Sequence, residues 1–178
     1  PVSAALRFTL TGFWNRLADP VSNVTLASTP AQITRQRQNL GAARVAGLEA
    51  TANWQPMSAF SAGASYLWNA SEVVEFDADP RLNVSLLGRS LPQVARHRFT
   101  VNGDVKLPGA LRASLVGRFV GEQYDDDLNS VVLPGFFQLD AHFSRQLGEM
   151  ALLFVAIENL NRSEEHTSEL QSHLNLVC

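Results

Sequence analysis

Hydrophobic and polar residues alternate along most of the chain between Ser3 and Leu160, in about seven segments separated by polar or Pro- and Gly-punctuated connections. The clearest segment runs from Arg98 to Leu107. Phe99, Val101, Val105 and Leu107 share one parity with Gly103, while Arg98, Thr100, Asn102, Asp104 and Lys106 take the other. A period of two puts these sets on opposite faces of a β-strand. Leu6, Phe8, Leu10 and Trp14 against Arg7, Thr9, Thr11 and Asn15 repeat the pattern, as do Phe137, Leu139, Ala141 and Phe143 against Gln138, Asp140, His142 and Ser144.

Strands are predicted at about 3–15, 37–54, 59–74, 97–107, 111–124, 136–146 and 150–157. The last is apolar on both faces and stays unoriented. Their connections alternate in length. Asp19 to Pro30 reads as a long loop, Gln55-Pro56-Met57-Ser58 as a tight turn, and 75–96 as a second long loop. Pro108-Gly109 and Leu147-Gly148-Glu149 are turns, and a loop of moderate length carries Asp125 to Gly135.

Alternation alone also suits a soluble sandwich, whose strands have one wet and one dry face. Three features favour a membrane. Most segments reach the ~9–11 residues that a tilted strand needs to cross a bilayer, against ~5–6 in ordinary sheets. The polar face carries full charges in mid-strand, Arg7, Glu49, Asp104, Arg112, Arg118 and Asp140, which suits a polar lumen. Aromatics gather near segment ends, including Trp14, Trp54, Phe60, Tyr66, Trp68, Phe119, Phe136 and Phe137, as interfacial girdles do. The expected fold is all-β: part of a transmembrane antiparallel barrel, with about seven long meander strands forming an open curved sheet. In bacterial barrels the short connections face the periplasm and the long ones face outside.

Composition changes the picture little. The 178 residues carry a net charge of -3 and 46% hydrophobic residues, and the basic residues are dispersed, so no nucleic-acid partner is expected. A single cysteine, Cys178, allows no internal disulfide. Pro1 leads directly into strand pattern, so the chain is expected to start downstream of its gene's own beginning. Arg162 to Ser172 resembles a translated sequencing adapter and begins where the alternation stops. Residues 1–161 are therefore read as the barrel portion and 162–178 as an artefactual tail.

Several strings, in order, resemble the later barrel strands of the TonB-dependent receptors. They are Phe13-Trp14-Asn15-Arg16 with Asp19-Pro20-Val21-Ser22-Asn23-Val24-Thr25-Leu26, Gln36 to Gly41 leading to Gly47-Leu48-Glu49, Leu91-Pro92-Gln93-Val94 with Arg96-His97, Gly121 to Asp127, and Glu158-Asn159-Leu160-Asn161. The resemblance covers essentially 3–161. It implies a 22-stranded barrel closed by an N-terminal plug, of which this chain carries about seven of the last eight strands without the closing strand, the plug or the segment that engages the energy-coupling TonB complex. It also implies a location in the cell outer membrane, contact with outer-membrane lipid and lipopolysaccharide, and active uptake of a scarce small-molecule ligand such as a ferric siderophore or cobalamin.

Candidate ligand contacts at the extracellular rim are Arg35, Arg37, Arg96 and His97, which could attract an anionic chelate, and Asp125, Asp126, Asp127 and Asn129, whose oxygens could gather a hard cation. Solvated rim charge and lipopolysaccharide contact are the simpler readings. Asp140 and His142 share a strand face without an activated nucleophile beside them, and His166 and His173 lack metal-ligand spacing with Cys178. No catalytic residue, cofactor or metal centre is assigned. A passive porin, an adhesin or secretion-type barrel, and a soluble all-β binding module remain as alternatives.

Overall fold

The computed structural model describes residues 5–29, 31–76, 85–148, 150–161 and 176–177. Seven long antiparallel strands form one sheet in which spatial order follows chain order: β1 (Ala5–Ala18), β4 (Ala42–Met57), β5 (Phe60–Glu75), β6 (His97–Leu107), β7 (Leu111–Val120), β10 (Phe136–Leu147) and β11 (Ala151–Ile157). A two-residue strand, β12 (Leu176–Val177), adds to the outer edge of β11. The remainder of the adapter-like tail, with His166, His173 and Cys178, lies outside the described residues, as do Ser3, Pro30 and Glu149.

Two predicted connections are strand pairs instead. β2 (Val21–Ser28) and β3 (Ile33–Asn39) form a separate hairpin between β1 and β4. What reads in sequence as one strand from 37 is thus the end of β3, a break at Leu40-Gly41, and then β4. β8 (Gln123–Tyr124) and β9 (Val132–Leu133) make a smaller ribbon between β7 and β10. Both hairpins and the 85–96 segment leave the same end of the sheet, opposite the short turns. The turn expected at 55–58 shifts to Ser58-Ala59, because Pro56 sits inside a register irregularity between Trp54 and Met57 where no ladder hydrogen bond is required of it.

The pairing register carries the predicted parity across the whole sheet. Tyr66, Phe99, Phe119 and Phe137 face one another on successive strands and make a continuous aromatic row. They lie on the outer face with Leu6, Phe8, Leu10, Trp14, Leu48, Trp54, Trp68, Val101 and Leu115. All are exposed, from 37% for Trp68 to 68% for Leu6. Water-soluble monomers seldom show a contiguous apolar patch beyond ~300–600 Å², and this one spans every long strand. From Ala46 to Trp54 the outward positions of β4 carry no charge. Those eight steps of ~3.4 Å at a tilt of ~40° rise roughly 21 Å, close to the ~25 Å apolar band of outer-membrane barrels. Beneath the aromatic row, Trp54 and Phe60 meet edge to face at 6.0 Å near the short-turn end.

The opposite face is polar. Arg118 and Asp140 pair at 2.8 Å, and the second Asp140 oxygen accepts from Gln138 and from the Asn159 N–H, both at 2.9 Å. That carboxylate explains part of the Glu158-Asn159-Leu160-Asn161 string. Asn159 takes a left-handed φ of 60°, which Asn tolerates better than most residues, and so ends β11. The Asn161 amide then accepts from the Leu139 N–H at 2.8 Å and donates to the Phe137 carbonyl at 2.7 Å, standing in for a ladder residue on the edge of β10.

Deep apolar burial is found at the loop end. Val24, Leu40, Val73 and Leu86 form a small core, with Phe76, Leu91 and Leu128 packed against it. This core joins the β2–β3 hairpin, the end of β5 and the 85–96 segment, so the loops form a packed layer on top of the sheet.

Candidate functional site at the loop end

Each loop contributes polar side chains to that layer. Asp127, on the β8–β9 connection, accepts from the Thr25 N–H at 2.7 Å and the Thr25 hydroxyl at 2.6 Å. Both residues are 4% exposed, and 102 positions separate them in the chain. Asn129 binds the 85–96 segment: its amide accepts from the Ser90 N–H at 2.7 Å and donates to the Ser90 carbonyl at 3.0 Å. Asp126 closes its own turn by accepting from the Ser130 and Val131 N–H groups at 2.8 Å and the Ser130 hydroxyl at 2.6 Å. Burial pushes the Asp126 carboxyl up, but these donors together outweigh it and hold the group below the usual carboxylate range.

The Leu91-Pro92-Gln93-Val94 and Gly121-to-Asp127 strings meet directly. Gln93, at a φ of 58°, donates its N–H to the Tyr124 carbonyl at 2.7 Å, and its amide donates to Asp125 at 3.3 Å. A left-handed glutamine is uncommon, and the backbone bond to Tyr124 holds it there.

Two cavities result. One, of about 150 Å³, gathers Arg35, Asp125, Asp126 and Asp127 with Asn23 and Gln93. Its floor is carboxylate already engaged by backbone and hydroxyl donors, and its wall is the exposed Arg35. The second, of about 200 Å³, includes Arg96 with Asn69, Ser71, Glu122 and Tyr124, and within it the Asn69 Oδ1 is a buried acceptor with no protein donor. Arg37 lies apart in a shallow depression with Val21 and Asn23. His97 follows the outward parity and shares a 2.8 Å hydrogen bond with the Tyr66 hydroxyl at the aromatic row, away from Arg35. The rim residues named from sequence therefore divide among different surroundings. Asn23, Thr25, Asn69, Ser90 and Gln93 complete the layer; only Gln93, within its string, carried a signal in sequence.

A curved antiparallel sheet with an apolar exterior, a charged interior face, short turns at one end and interlocked loops at the other defines the wall of a transmembrane β-barrel. Residues 3–160 match the family model described as TonB dependent receptor-like, beta-barrel, and the chain belongs to that family. Members are outer-membrane proteins that bind ligands and interact with TonB. No curated protein sequence matches the chain. Among solved structures it is similar to the siderophore receptor PiuA from Acinetobacter baumannii, with 19% identity and a TM-score of 0.67 over 87% of this chain and 22% of that one. The ferric yersiniabactin uptake receptor FyuA from Yersinia pestis gives 22% identity and a TM-score of 0.64 over 89% and 23%. The copper transporter OprC gives 18% and 0.64 over 87% and 23%. The chain thus spans between a fifth and a quarter of the length of these proteins.

Proposed function

We propose that this chain is a stretch of the later barrel wall of a longer receptor that takes up a scarce ligand, such as a ferric siderophore or cobalamin, across the outer membrane. Energy would come from the TonB complex acting through a plug carried elsewhere in that receptor. The observation that carries this reading is the packed loop layer, which presents Arg35, Arg37, Arg96, Asp125 and Gln93 on a rigid base at the mouth of a polar-lined sheet. Ligand sites are assembled most effectively on preorganised supports. Arg35 and Arg96 are the proposed anion contacts, and Asp125 is the carboxylate least committed to the loop scaffold. Asp126, Asp127 and Asn129 hold the site in shape, and His97 serves the bilayer boundary. No catalytic residue enters this function.

The direct test is uptake by cells expressing the receptor that contains this chain, with radiolabelled ferric siderophores and cobalamin offered in turn. The expected result is energy-dependent uptake of one of them, reduced roughly tenfold by Arg35→Ala combined with Arg96→Ala, as for loss of charge-assisted contacts. Uptake that is insensitive to uncoupler, or unchanged in the double variant, would contradict the proposal.

A further inference from the structure

Above the apolar band the outer face of the sheet changes abruptly to charge. Arg16 and Arg44 stand directly opposite each other in the β1–β4 register, and Arg44 stands opposite Glu72 in the β4–β5 register. Arg16 pairs with Glu75 and Arg44 with Glu72. One residue pair further down each strand come Trp14, Ala46 and Ala70, the upper margin of the apolar face. The cluster sits at the loop end, which faces outside, and both guanidinium groups remain about half exposed, at 48% and 47%.

We propose that Arg16 and Arg44 form a docking site for the phosphate of a phosphorylated glycolipid in the outer leaflet. Each guanidinium has five N–H donors, and a single carboxylate partner occupies only part of that fork, leaving donors directed at the headgroup layer. The two forks are cross-strand neighbours, held at a spacing that lets both engage one phosphate-bearing headgroup while its acyl chains lie along Trp14 and Trp68. Glu72 and Glu75 hold the forks in place and moderate their charge, so the resident lipid is retained without a large basic patch. This inference rests on the outer-membrane location and is independent of which ligand is taken up.

The full chain in nanodiscs of neutral phosphatidylcholine, with added diphosphorylated lipid A as the probe, provides the test. Retained glycolipid per protein is read by mass spectrometry after washing. Arg16→Ala with Arg44→Ala is expected to lower retention roughly tenfold, and Glu72→Gln with Glu75→Gln to leave it equal or raised, because the forks are freed. A merely structural ion-pair cluster would lose as much through the glutamine variant as through the alanine variant, and that result would overturn the proposal. Unchanged retention in the alanine variant, or equal retention of dephosphorylated lipid A or of phosphatidylglycerol, would overturn it as well.

Discussion

Gly47 shows how tightly single positions are specified. A Cβ there would stand 2.2 Å from the Trp68 carbonyl oxygen and 2.6 Å from the Phe13 ring, so backbone as well as side chain would have to move. At Gly103 nothing lies within 4 Å of the same added atom. Gly47→Ala is therefore expected to cost about 1–3 kcal/mol, as overpacking does, while Gly103→Ala stays within about 0.5 kcal/mol. Urea unfolding in detergent micelles, followed by tryptophan fluorescence, checks the pair. Ala110, at a φ of 58° in the turn after β6, offers the reverse case. Ala110→Gly is expected to stabilise by about 1 kcal/mol in the same assay, by removing the left-handed penalty of an L-residue. Asp126 supplies a pH dependence. Its folded carboxyl lies below the unfolded value, so its contribution is fully present above about pH 4 and lost as pH falls through the folded pKa. The Ser130 and Val131 amide resonances are expected to shift in that acid range and to stop doing so in Asp126→Asn.

At the scale of elements, the long strands were legible because each presents one parity to an apolar medium and the other to water, and that contrast is written at alternate positions. β6 shows it most plainly, its bounds of His97 and Leu107 coinciding with the alternation. The β2–β3 hairpin was not legible for the complementary reason. Most of it meets water on both faces, so Ser, Thr and Asn recur without a parity and only Val24 marks an inner side. The charges of Asp126 and Asp127 were equally visible, but whether a carboxylate is free depends on partners the local sequence does not contain. Thr25 is 102 residues away. Asp127→Ala would leave the buried Thr25 N–H unpaired. It is expected to weaken the loop layer by about 2–3 kcal/mol, read as faster amide hydrogen exchange across both β2–β3 and the 85–96 segment. Exchange confined to the β8–β9 connection would show that the loops do not behave as one packed unit.

For the whole molecule, the central claim is that the outer side of the sheet meets hydrocarbon and the inner side meets water. The family match, the aromatic row through Tyr66, Phe99, Phe119 and Phe137, and the charge cluster above it agree on that placement. An arginine at Val101 is expected to cost about 2–4 kcal/mol in lipid, and an arginine at Asn102 far less, because only the first faces the bilayer. The most direct measurement is a nitroxide scan of residues 99–105 in the reconstituted chain, with oxygen as the lipid-soluble relaxant and a nickel chelate as the aqueous one. Labels at Phe99, Val101, Gly103 and Val105 are expected to respond to oxygen, and those at Thr100, Asn102 and Asp104 to nickel. Equal response at neighbouring positions, or odd-numbered labels shielded from both reagents within a packed interior, would contradict the account.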